Sequence, residues 1–151
     1  MKAARRGEDC FEFQLANRER DLLVELLVLY PRIPPAYQPL SKVADLEGSN
    51  QRLLDEALAE EREANRKHAQ ALLADPKRLT KNQAGWCLAL TTAELEQLLQ
   101  ILNDIRVGSW ISLGSPQSRL EVLDETMAPD FWAMEMAGFF QMRFLEVLEG
   151  E

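Results

Sequence analysis

Asn103, Asp104 and Arg106 stand within one helical turn of each other in "QILNDIRVGSWISLG", residues 100–114. An amide, a carboxylate and a guanidinium so close together could hold an acidic or phosphorylated ligand, because arginine presents a planar fork of donors to such groups. Placed on a helical wheel at ~100° per residue, the three residues separate. Arg106 falls near the centre of a face made by Leu95, Leu98, Leu99, Leu102, Ile105, Ser109 and Leu113. Asn103 and Trp110 fall at its margin, and Asp104 lies on the far side, where solvation is expected. An arginine on the apolar face must bury its stem and find an acceptor, since breaking a buried ion pair costs ~3–5 kcal/mol. Glu135 is the first candidate acceptor and Glu146 the second. Two readings stay open: a structural pair of Arg106 with a carboxylate, or a ligand-binding set of Arg106, Asn103 and Glu135.

Other reactive chemistry is sparse. The single histidine, His68, lies in a polar stretch with no nucleophile nearby in sequence, and no Glu-x-x-His pair offers di-metal ligands. Cys10 and Cys87 are too few for a disulfide framework or a metal cluster, and "GSWISLGSP" lacks the spacing of a phosphate-binding loop. Both cysteines point away from the apolar faces of their strands, and pairing of the strands could bring the thiols near each other. No catalytic residue, metal ligand or cofactor is assigned from the sequence.

The elements that must position these residues can be traced along the chain. "CFEFQL" alternates apolar and polar, so Phe11, Phe13 and Leu15 share one face of a strand. Asn17 then caps a helix that Pro31 ends. "PRIPPAYQPL" holds four prolines and reads as a stiff extended loop. A helical turn is expected at Ser41–Glu47, stopped by Gly48, before a long helix from Ser49 or Asn50 to about Ala74. That helix loses its apolar stripe in "EEREANRKH", as a helix does when it leaves the core.

The opening pattern then returns. "GWCLALTTAELEQLLQIL" matches "CFEFQLANRERDLLVELL" at an offset of 75, so that Glu19 aligns with Glu94 and Leu23, Leu26 and Leu27 align with Leu98, Ile101 and Leu102. Two strand–helix units result, and pairing of their strands would make a two-stranded β-ribbon. Such a ribbon needs helices over one face to be stable. Gly114 and Pro116 end the second helix, "SRLEVLDETM" is a turn or short helix, and Pro129 opens the last helix. That last helix is apolar nearly all round, which suits either the centre of a core or a surface shared with a partner subunit. Trp132, Met136, Phe139 and Phe140 are its candidate interface residues.

The chain of 151 residues carries a net charge of −8, with a sequence pI near 4.8. A general nucleic-acid binder needs clustered Lys and Arg instead. Residues 1–7 read as a flexible tail with Lys2, Arg5 and Arg6, and residues 8–151 as a single helical domain. No apolar run follows the tail, so no secretory signal is expected, and Glu135, Gln141, Arg143 and Glu146 argue against a membrane span in the last helix. The expected fold class is mainly α: a helical bundle of about four main helices, with the β-ribbon as an addition. A non-enzymatic protein-interaction or regulatory module in the cytoplasm is the expected function, with a homodimer through the last helix as one form of it. The alternative is a small-ligand binder or enzyme built on Arg106.

"LTTAELEQLLQILNDIRVGSWISLG" resembles a small uncharacterised bacterial family in which a strand precedes a helix carrying Leu-Asn-Asp-Leu-Arg and a Leu-Gly ending. The matching residues here are Leu90, Thr91, Glu94, Leu98, Leu102, Asn103, Asp104, Ile105, Arg106, Leu113 and Gly114. The family's beginning also looks like "FEFQLANRERDLLVELL", whereas the proline-rich loop and the long polar helix depart from it. The resemblance implies no activity, cofactor or catalytic residue. It does imply a bacterial source, and genes sometimes near that of the ClpS protease adaptor, hence a link to regulated proteolysis.

Overall fold

The computed structural model describes residues 2–31, 45–117 and 124–149. In chain order these form β1 (Lys2–Arg5), β2 (Phe11–Leu15), α1 (Asn17–Val28), α2 (Asp45–Ala74), β3 (Leu79–Asn82), β4 (Gly85–Leu90), α3 (Thr92–Ser112) and α4 (Ala128–Leu148). The expected loop over 32–40, the start of the turn at 41–44 and the segment 118–123 lie outside the described residues. Four helices are present, but the β part is larger than a ribbon: one antiparallel sheet of order β1-β2-β4-β3. The fold is therefore α+β, not a helical bundle with a two-stranded addition.

The two strand–helix units are the centre of that sheet. Phe13 pairs with Leu88, and the same two residues are equivalent under the 75-residue offset. A pseudo-two-fold axis consequently passes between them, relating β2–α1 to β4–α3. The helix starts obey the same offset, at Asn17 and Thr92. Glu19 reaches back to the Ala16 N–H at 2.9 Å, and Glu94 to the Thr91 N–H at 2.8 Å. Thr91 completes a reciprocal capping box by accepting from the Glu94 N–H. Ala16, which has no side-chain acceptor, occupies the cap position expected of Asn17.

Each unit gains an outer strand by a hairpin. The expected tail supplies β1, paired from Lys2↔Gln14 to Arg5↔Phe11. Asp9, in the connection from β1 to β2, accepts from the Thr92 N–H at 2.9 Å and so satisfies one of the free donors at the start of α3. That bond holds its carboxyl below the ordinary aspartate range. On the other side, Gln83 and Ala84 join β3 to β4.

Phe11, Phe13, Leu15, Leu88 and Leu90 cover the inner face of the sheet and are buried. Helices α1 and α3 pack on this face, and α4 lies along α3, touches α1 and sets Phe144 edge-on against Phe13 at 4.8 Å between ring centroids. Small residues let α3 and α4 approach closely: Gly108 and Ser109 on one, Ala133 and Ala137 on the other, are buried. Helix α2 runs unbroken through Gly48, in place of the expected turn and stop. Its C-terminal half docks through Asn65, Ala69 and Leu72, while Leu53, Leu54 and Leu58 are exposed.

Candidate interaction surface on α3 and α4

Arg106 does not sit in the core. It is exposed, forms no ion pair among the described residues, and passes over Gly138 of α4, where its Cδ and Nε would stand 4.0 Å from an added Cβ. Glu135 is also exposed and is not its acceptor. Asp104, expected in solvent, is instead half-buried. Besides α4, α3 packs against α2 and β4, so more than one side of it is covered. Its buried set includes Ile101 and Gly108, which turns the enclosed side toward Asp104 and leaves Arg106 on the edge.

On that enclosed side Asp104 meets α2 and the end of α1. Gln97 donates through Nε2 to Asn65 Oδ1 at 2.7 Å, and Asn65 Nδ2 donates to the Tyr30 hydroxyl at 3.5 Å. Asp104 lies near enough to the Tyr30 hydroxyl for the two groups to interact electrostatically. Tyr30 and Asn65 are buried, so this chain of polar groups is an internal joint between α2, α3 and the residues that follow α1. Burial raises the Asp104 carboxyl above the ordinary aspartate value, while Arg62 opposes the rise, Glu61 adds to it and the Tyr30 hydroxyl draws the value back down. Burial likewise raises the Tyr30 phenol.

The sign of the linkage follows. A carboxyl with a raised folded-state pKa favours folding when protonated and loses that contribution as pH climbs past ~4 toward its folded value. Asp104→Asn keeps the size of the side chain and removes the half-buried charge. Its melting temperature at pH 7 is expected to match or exceed that of the unsubstituted chain, by up to about 4 °C. Thermal denaturation across pH should show the advantage vanish below about pH 4. A large loss at pH 7 would mean that the negative charge itself is required.

A groove of about 680 Å³ runs along the outer face of α4. Arg106 lines it at one end, with Glu135, Phe139, Met142, Leu145 and Glu146 along its floor and rim. Asn103 is exposed beside it and accepts from Gln141 Nε2 at 3.4 Å, while the buried Gln141 Oε1 has no partner among the described residues. The structure thus brings Arg106 and Glu135 to one groove without pairing them. Of the expected interface residues, Phe140 is wholly buried and belongs to the core, stacked on Phe144. Trp132 and Met136 are half-buried against the core. Phe139 alone of the four is exposed, at 38%, and it is joined by Met142 at 64% and Leu145 at 37%.

Met142 and Leu145 lie outside the interface set expected from the sequence, although their positions on the helix carry a signal. Glu135, Arg143 and Glu146 fall on one side of the α4 wheel, with Ala133 and Ala137 opposite. Met142 lies on the charged side, and a large apolar residue among charges is a surface residue in need of cover.

The remaining reactive groups are not gathered. His68 is exposed on α2. Cys87 pairs across the sheet with Gln14, four residues along from Cys10, so strand pairing does not bring the thiols opposite each other. Both are free, and burial raises the Cys87 thiol. Among the described residues no cluster of three or more His, Cys, Asp or Glu could hold a metal ion, and no helix is long and apolar enough to cross a membrane. Comparisons of the chain with protein-family models, curated proteins and solved structures return no match.

Proposed function

We propose that this chain is a non-enzymatic protein-interaction module of the bacterial cytoplasm, and that the outer face of α4 is its docking surface. The observation that carries the reading is the exposed row Phe139, Met142 and Leu145 on a helix that already fills the core with Ala133, Ala137, Phe140 and Phe144. A soluble chain that needed α4 only for packing gains nothing from apolar residues on both sides. Methionine at such a surface adapts its shape to a partner. The resemblance to a family with genes near the ClpS adaptor adds regulated proteolysis as a setting.

The exposed guanidinium of Arg106, without an ion-pair partner among the described residues, favours the alternative, a binder of acidic or phosphorylated ligands. Against it, Glu135, Glu146 and Glu149 line the same groove. Three carboxylates around one guanidinium repel an anion more than a single arginine attracts it. Affinity capture from the cell of origin separates the two. The unsubstituted chain should retain a protein, its own untagged copy included, that Leu145→Glu loses. A small molecule retained by the unsubstituted chain and lost on Arg106→Ala would overturn the module.

A further inference from the structure

Resting on that reading of the α4 face, we infer that its occupant is a second copy of this chain, packed antiparallel about a two-fold axis at Met142. The register follows from the residues in the groove. Gly138, Phe139, Met142, Leu145 and Glu146 recur at the three- and four-residue spacing of a helix–helix seam. When α4 is reversed on itself about Met142, Phe139 faces Leu145 of the second copy and Met142 faces its own equivalent. Gly138 then faces Glu146 of the second copy. Because Arg106 lies over Gly138, its guanidinium arrives beside that carboxylate, once on each side of the axis.

The charges select this arrangement. In a parallel pair about the same seam, Arg106 meets Arg106, Glu135 meets Glu135 and Glu146 meets Glu146. The antiparallel pair converts the central contacts to attraction and leaves only Glu135 against Glu149 at the solvated ends. Glu146 gives up little to join it, since its partner in the single chain is the exposed Arg143 at 3.6 Å. An isologous contact of this kind closes at two copies. The seam from Glu135 to Glu149 spans about 21 Å of helix. A face of that length buries on the order of 1,000 Å² in total, at the small end for a specific interface, so association in the range of about 10–100 μM is expected.

Cysteine cross-linking on the full chain tests the register. In a Cys10→Ser, Cys87→Ser background, Met142→Cys should form a disulfide between two copies under mild oxidation, because only a residue at the axis meets its own equivalent. Leu145→Cys alone should not, whereas a mixture of the Leu145→Cys and Phe139→Cys chains should. Sedimentation of the unsubstituted chain up to about 500 μM should show a monomer–dimer equilibrium. Arg106→Glu and Glu146→Arg should each weaken it at least ~10-fold, and mixing the two variants should restore it by pairing opposite charges on both sides.

Both positions are exposed, so unchanged circular dichroism separates lost association from lost folding. A chain monomeric throughout that range, cross-linking at 145 in place of 142, or indifference to the charge swaps would each overturn the dimer. If the chain is monomeric yet loses another captured protein on Leu145→Glu, the second copy is wrong and the module reading survives. If that variant loses neither, both readings fail.

Discussion

Phe13→Ala is expected to cost about 3–5 kcal/mol, the usual range for removing a buried aromatic ring. A domain of this size loses roughly 2–4 °C per kcal/mol, so the melting temperature should fall by about 6–20 °C. Phe13 has no exposed surface, pairs with Leu88 at the pseudo-two-fold axis and meets the Phe144 ring edge-on. Its removal opens a cavity where both strand–helix units and α4 converge. The sheet partners on each side, Ala3 and Leu88, are fixed by backbone pairing and cannot close in. Phe144 is held by Phe140 behind it. Phe13→Leu, which keeps four of the carbons, should cost less than half as much. Urea or thermal unfolding of the three chains decides the matter, and a Phe13→Ala chain within about 3 °C of the parent would place the core elsewhere.

That centre was legible because two independent signals coincide on it. Alternation marks β2 and β4, a glutamate three residues past each cap marks α1 and α3, and the 75-residue offset repeats both. The outer strands carry neither signal. All four residues of β1 are exposed, and of β3 only Leu79 is buried. An edge strand with one solvated side and charged side chains has no hydropathy pattern to read, and natural sheets keep such edges polar. Lys2–Arg5 therefore reads as a tail, although its backbone pairs with β2.

The polar residues of α3 were misplaced for a related reason. Hydropathy says which side of a helix avoids water, but not how many neighbours share that side. Asp104 is half-buried where α2 and the chain just past α1 come up to α3, and Arg106 is exposed on the edge beside Gly138 of α4. Neither fact is local to residues 100–114. Likewise the apolar character of α4 was plain, while the choice of Phe140 for the core and Met142 for the surface depends on where α3 and the sheet lie.

Gly85→Ala should have the second large effect, about 2–5 kcal/mol, from two causes that add. Gly85 has φ of +136°, a conformation that side-chain-bearing residues rarely adopt. A Cβ there would also stand 2.3 Å from the Leu15 carbonyl oxygen and 3.2 Å from the Ala16 Cα. Both obstacles are backbone, so no rotamer change relieves them. Leu15 and Ala16 are where β2 passes into α1, and relief must come by parting β4 from β2 or by tilting the start of α1. Either movement breaks the Leu15↔Trp86 pairing. Gly114→Ala isolates the first cause: its φ is +90°, but nothing lies within 4 Å of the added carbon. That change should cost only about 1 kcal/mol. Thermal unfolding of both variants gives the contribution of the close approach as the difference between them. Equal losses would mean that the contact between β4 and the turn into α1 is looser than 2.3 Å implies, and that strain at φ alone accounts for the glycine.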